Sequence, residues 1–222
     1  MSDRVSRLGS LTGVLFALVV VAAAVTGGET PEANASAAKV IAYYGTHRSE
    51  IETSSILFAI AFLVIVLFAG SLRSYLRRTS SAEGLSALVL AGGVLMAVGA
   101  ITGGAMEYGL AHNLHALSPT EAQTLNFISN EIFLPLLAGA FIFGIASGLA
   151  ILRGAALPKW LGWVAIVMGI AAIIPPASFP ALLGFVLWSL IVSILMYLRT
   201  GAPVENSQAA SRSSFAASET TV

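Results

Sequence analysis

The 222-residue chain contains no cysteine. That excludes disulfides, thiolate metal sites, a cysteine nucleophile and cysteine-held haem or iron–sulfur groups. Charge is nearly as scarce. Asp, Glu, Lys and Arg make up 10% of the residues, against about a quarter in an ordinary soluble domain. Only three histidines occur, His47, His112 and His115. None falls inside an apolar run, which counts against a bundle holding haem between facing histidines. No HExxH is present, and the pairs Gly92-Gly93 and Gly103-Gly104 lack the lysine and the strand of a phosphate loop. No nucleophile–base pair is recognisable either, so no catalytic residue and no cofactor can be read. With zero net charge, nucleic acid is not an expected partner.

What is present is apolar. Hydrophobic residues are 57% of the chain, the mean hydropathy is +0.88, and several runs reach the roughly 20 residues that cross a bilayer core. The expected fold is an all-α membrane protein, a six-helix transmembrane bundle over residues 8–199. Its spans are read at roughly Leu8–Thr26, Ser54–Leu72, Leu85–Tyr108, Phe127–Leu152, Trp160–Ile174 and Ala181–Leu198. Around them lie an N-terminal segment (1–7), an outer loop (27–53), an inner loop (73–84) and an outer helical hairpin (109–126). Residues 200–222 are polar and Ser/Ala-rich, with too little apolar surface to offset ordering entropy, and read as a disordered tail.

Two features leave alternatives open. Arg4 and Arg7 before the first apolar run, with Ala35-Ser36-Ala37 beyond it, fit either a retained helix or a cleaved signal; the length of the run favours retention. Spans five and six are separated by Pro175-Pro176, where missing backbone donors end a helix. They are two full crossings or one re-entrant hairpin, and the sixth run is long enough to cross.

Orientation follows from the basic residues. With the N-terminus inside, Arg4, Arg7, Arg73, Arg77, Arg78, Arg153, Lys159, Arg199 and Arg212 are cytoplasmic, and only Lys39 and Arg48 lie outside. Nine of eleven basic residues on one side is the positive-inside bias, so both termini are expected in the cytoplasm. Trp160 and Trp163 beside Lys159 fit an interfacial belt, and Arg73, Arg77 and Arg78 fit contact with anionic headgroups, a topological role rather than a specific lipid site.

Polar residues gather at the outer end of spans three and four, in MEYGLAHNLHALSP and just beyond. Ser118-Pro119-Thr120-Glu121 has the pattern of a capping box with proline in the first turn. A helix starting there and folding back on span three brings Glu107 opposite Asn126 and Asn130, and His112 opposite Glu121. Glu107, Asn130 and Glu131 are therefore candidates to line an outward polar cavity, helped by a kink at Pro135. His112 and His115, three apart, share a helical face, and with Glu121 or His47 they are weak candidates for a divalent metal. A plain solvated hairpin explains the same residues, since helix dipoles favour histidine at a C-terminus and glutamate at an N-terminus. Gly99-x-x-x-Gly103 and Gly144-x-x-x-Gly148 read as helix-packing surfaces. Asn34-Ala35-Ser36 is a glycosylation sequon, and the terminal Glu219-Thr220-Thr221-Val222 could add as a strand to a peptide-binding domain.

The stretch GLAILRGAALPKWLGWVAIVMG, residues 148–169, resembles a pattern in bacterial, actinobacterial-type multi-pass membrane proteins grouped in domain-of-unknown-function families. Arg153–Gly162 is its distinctive part, and the order of spans over residues 8–199 is similar too. The resemblance implies a bacterial cytoplasmic membrane. It carries no catalytic residues to transfer. The expected function is a non-enzymatic module that binds, senses or helps to move a small solute, ion or lipid. The alternatives are a metal-dependent membrane oxidoreductase and a structural subunit of a membrane complex, including a homo-oligomer.

Overall fold

A computed structural model describes residues 8–79, 83–154 and 157–200 of the chain. Among them every regular element is helical. The helices are α1 (Thr12–Gly27), α2 (Ala37–Thr46), α3 (Arg48–Thr79), α4 (Glu83–His112), α5 (Pro119–Glu131), α6 (Leu134–Arg153), α7 (Lys159–Ala172) and α8 (Pro175–Thr200), with a 3-10 turn at Leu114–Ala116. The N-terminal segment 1–7 and the tail 201–222 lie outside the described residues, as do residues 80–82 and 155–156.

Among the described residues five stretches are long and apolar enough to cross a membrane: Leu8–Gly27, Arg48–Arg77, Gly84–His112, Pro119–Arg153 and Pro175–Arg199. α7 has 14 residues and spans roughly 21 Å at 1.5 Å per residue, less than a bilayer core of about 30 Å. Large apolar side chains face outward, among them Leu63, Leu67 and Leu187 at 59, 60 and 62% exposure. An outward hydrophobic surface of this kind is what lipid covers, and it defines the class: a multi-pass, all-helical membrane protein.

Six helices close a ring in which each touches two neighbours, in the order α1, α3, α4, α6, α7, α8 and back to α1. Neighbours run antiparallel. Gly92 meets Phe143 while Gly99 meets Leu136; Gly144 meets Gly169 while Gly148 meets Gly162. The Ser193 hydroxyl donates to Ser10 O, which closes the ring between α8 and α1.

Small residues set how closely these helices approach. A Cβ on Gly144 would lie 2.6 Å from Ala165 O, and one on Gly148 2.5 Å from Gly162 O, so α6 and α7 pack backbone to backbone. Gly99 abuts the Leu136 backbone of α6, with Gly92 and Gly139 continuing the same seam; Gly103 makes only an ordinary contact with Ile132. Inside the ring, Phe68, Phe143, Phe185 and Trp188 form an aromatic cluster with centroids 5.9–6.4 Å apart, edge-to-face except for the tilted Phe68–Phe143 pair. All four are buried, and Trp188 Nε1 donates to Leu161 O at 2.9 Å. The middle of the ring is filled with side chains.

The structure adds detail to three parts of the sequence reading. The segment 27–53 is not simply a loop: Ser36 N-caps α2, accepting from Lys39 N, and α3 begins at Arg48. Helix also takes most of the inner loop 73–84, since α3 continues to Thr79 and α4 starts at Glu83. Pro175-Pro176 open α8 rather than merely ending α7, which stops at Ala172 before a two-residue turn. Proline is well placed in a first helical turn, where its missing N–H would be unpaired anyway.

Candidate functional site

The two ends of the ring differ. One carries Arg73, Arg77, Arg153, Lys159 and Arg199 and is called the arginine end. At the other, α4 runs 20 residues past Gly92 to His112, roughly 30 Å, and α3 and α5 rise with it. α8 begins only ten residues before Phe185, roughly 15 Å away. α3, α4 and α5 thus project as a group, and α2 lies across them.

This cap has its own core of Ala35, Val40, Tyr44, Ile51, Leu110, Ala111 and Ala122. It is held down by a stripe of amides on α5. Gln123 Nε2 donates to Ala35 O at 3.0 Å, Asn126 Nδ2 to Glu32 O at 2.9 Å, and Asn130 Nδ2 to Pro31 O at 3.3 Å. Residues 123, 126 and 130 fall on one helical face, so three side chains tie down one stretch of loop. The α5 N-terminus shows the full capping box: Glu121 N donates to Ser118 Oγ at 3.3 Å and Ser118 N to Glu121 Oε2 at 2.7 Å.

Polar groups are buried beneath the cap. Tyr44 and Asn126 are both 0% exposed, yet the Tyr44 hydroxyl and Asn126 Oδ1 have no hydrogen-bond partner. Ser129 lies beside Tyr44; its hydroxyl donates to Asn126 O at 2.9 Å and keeps acceptor lone pairs, but it makes no hydrogen bond of ordinary geometry to the Tyr44 hydroxyl. Glu107, half-buried on α4, acts electrostatically on both Tyr43 and Tyr44. Burial first, then the carboxylates of Glu107, Glu50 and Glu29, hold the Tyr43 hydroxyl above its ordinary range. Burial, then Glu107 and Tyr43, push the Tyr44 hydroxyl up further. Beside Tyr43, an open cleft of about 500 Å³ is lined by Gly28, Glu29, His47 and Glu50 among others. Gly28 turns the chain there with φ +64°, a conformation that suits glycine.

The sequence candidates are distributed as follows. Glu107 and Asn130 belong to the cap, with Asn130 fastening the loop. Glu131 is exposed, one residue and about 100° around α5 from Asn130. The helix does break near Pro135, at Ile132–Phe133 between α5 and α6. His112 does not meet Glu121. Its Nδ1 lies 3.1 Å from Glu52 Oε1 and 3.4 Å from Arg48 Nη2, and its ring stacks on Tyr108. His115 sits exposed in the 3-10 turn, because α4 ends at His112, so the two histidines do not share a helical face. Among the described residues no three His, Cys, Asp or Glu side chains are grouped to hold a metal ion, and His112, His115 and Glu121 are accordingly not gathered. Tyr44 and the pairing of Asn126 with Glu32 were missed. Both depend on the segment before and through α2 lying over α5, which no local pattern in the sequence signals.

Compared with protein-family models, curated proteins and solved structures, the chain matches none. The functional reading therefore rests on its own residues.

Proposed function

We propose that this is a six-span protein of a bacterial cytoplasmic membrane, with both termini inside, that binds a small cation beneath its outer cap. The observation that carries the reading is the pair of buried, unpartnered groups, the Tyr44 hydroxyl and Asn126 Oδ1, where Glu107 acts from α4. An unpaired buried polar atom costs about 1–3 kcal/mol, and an occupant with matching chemistry removes that cost. The oxygens available are a carboxylate, an amide carbonyl and a phenol, a set that suits an alkali ion or an ammonium group. Glu29 and Glu50 in the adjoining cleft make the approach electronegative, which raises the local cation concentration.

The role is binding or sensing, not catalysis or conduction. The aromatic cluster supports that choice, because a pore through the ring would have to pass Phe68, Phe143, Phe185 and Trp188. The six-span count needs α7 to cross although it is short, and the antiparallel ring supports this: α6 and α8 on either side of α7 run in the same direction. The inside position of both termini is supported by the basic residues at the arginine end. A metal-dependent oxidoreductase has no grouped ligands in its favour among the described residues.

Thermal unfolding of the purified full-length protein, in sodium, potassium, ammonium and N-methylglucamine chlorides at one ionic strength, tests the proposal. At least one small cation should raise the unfolding temperature of the wild type relative to N-methylglucamine. Glu107→Gln should remove the shift, and Glu131→Gln should keep it. Identical curves in all four salts would refute the site.

A further inference from the structure

We infer that the cleft between α3 and α4 at the arginine end binds a phosphate-bearing anion. Gly70, Arg73, Ser74 and Arg77 of α3 and Leu90 of α4 line this open cleft of about 590 Å³. It lies at the opposite end of the bundle from the cap, and the inference does not depend on the cation reading.

Arg73 and Arg77 are four residues apart and share one face of α3. The stronger sign is Arg73 itself. Its Nε is buried and has no hydrogen-bond partner, an arrangement that is unfavourable until an acceptor arrives. A guanidinium presents its N–H groups as a planar fork that matches two oxygens of a phosphate. Ser74 is not part of the donor set, because its hydroxyl donates to Gly70 O at 2.9 Å. Gly70 leaves the floor of the cleft open, since a Cβ there would meet nothing within 4 Å.

Depth supports the same ligand. Arg73 follows directly on the apolar run of α3 that ends at Leu72, where lipid phosphates lie at the edge of a bilayer core. A positive-inside signal alone would be served by arginines whose donors all reach water; Arg73 holds its Nε away from it. The chemistry is shared by the headgroup of an anionic phospholipid and by a soluble phosphate.

The test is thermal unfolding of the full-length protein in detergent. The probes are phosphatidylglycerol against phosphatidylcholine, and inorganic phosphate against chloride at equal ionic strength. We expect a saturable rise in unfolding temperature with at least one anionic probe. A rise with phosphatidylglycerol alone identifies a headgroup; a rise with inorganic phosphate identifies a soluble anion. Arg73→Gln should weaken the response roughly tenfold or more in midpoint concentration. Arg73→Lys, which keeps the charge but loses the fork, should restore only part of it. Gly70→Leu should abolish the response by filling the cleft, and it serves as the test if Arg73→Gln does not fold, because its Cβ faces open space. Lys159→Gln, an exposed basic residue elsewhere at this end, should respond as the wild type does. No shift with either probe, or an undiminished shift in Arg73→Gln and Gly70→Leu, would overturn the inference.

Discussion

Tyr44 combines complete burial with an unpaired hydroxyl, so its polar atom works against the fold unless something answers it. Tyr44→Phe should therefore raise stability in cation-free buffer by about 1 kcal/mol, while weakening the cation-dependent shift. Denaturant unfolding with and without the cation separates the two effects. The tyrosines also set a pH limit. Tyr43 and Tyr44 are raised above the ordinary value of 10.0 when folded, so the unfolded chain loses those protons first. Their contribution is fully present below about pH 10 and falls as the pH rises beyond it. Melting temperatures between pH 8 and 11 should drop less steeply in Tyr43→Phe and Tyr44→Phe than in the wild type. His112, by contrast, meets Glu52 and Arg48 at an exposed rim, where solvent screens the contact. Of the site, Glu107 was legible because a carboxylate at the end of an apolar run is conspicuous. Tyr44 was not, because nothing in its neighbours tells which helix will cover it.

At the scale of elements, glycines decide which substitutions the helices tolerate. Gly144→Leu and Gly148→Leu force side chains onto the α7 backbone and should cost at least about 1–3 kcal/mol, seen as lost folded yield. Gly103→Ala meets only an ordinary contact and should express and melt like the wild type, so equal damage at 103 and 148 would contradict the seams described. The α5 amide stripe makes a second prediction. Replacing Gln123, Asn126 and Asn130 together by alanine should loosen residues 29–36, and limited proteolysis should then cut there much faster. The long apolar helices were readable from composition alone, because lipid demands nearly unbroken hydrophobic runs. The Ser118 capping box was readable from four residues. α2 was hidden because its burial depends on partners more than 60 residues away, Leu110 and Ala122. The end of α4 was also misjudged: the chain tightens into a 3-10 turn after His112, and that small change separates the two histidines.

The whole molecule is a ring of antiparallel helices with its hydrophobic surface outside, an aromatic centre and two chemically different ends. Reporter fusions near residue 40 and residue 116 should read outside, and fusions at residue 80 and at the C-terminus inside. An outside signal at residue 80 would reverse the proposed orientation and place the cap in the cytoplasm. Because the centre is filled, vesicles containing the protein should show no cation flux above that of empty vesicles. The central question is whether the cap holds a cation at all. Isothermal titration of the full-length protein with the cation that most stabilises it should give one saturable site per chain, lost in Glu107→Gln, weakened in Tyr44→Phe and unchanged in Glu131→Gln. No saturable heat with the wild type, or equal binding by Glu107→Gln, would contradict it.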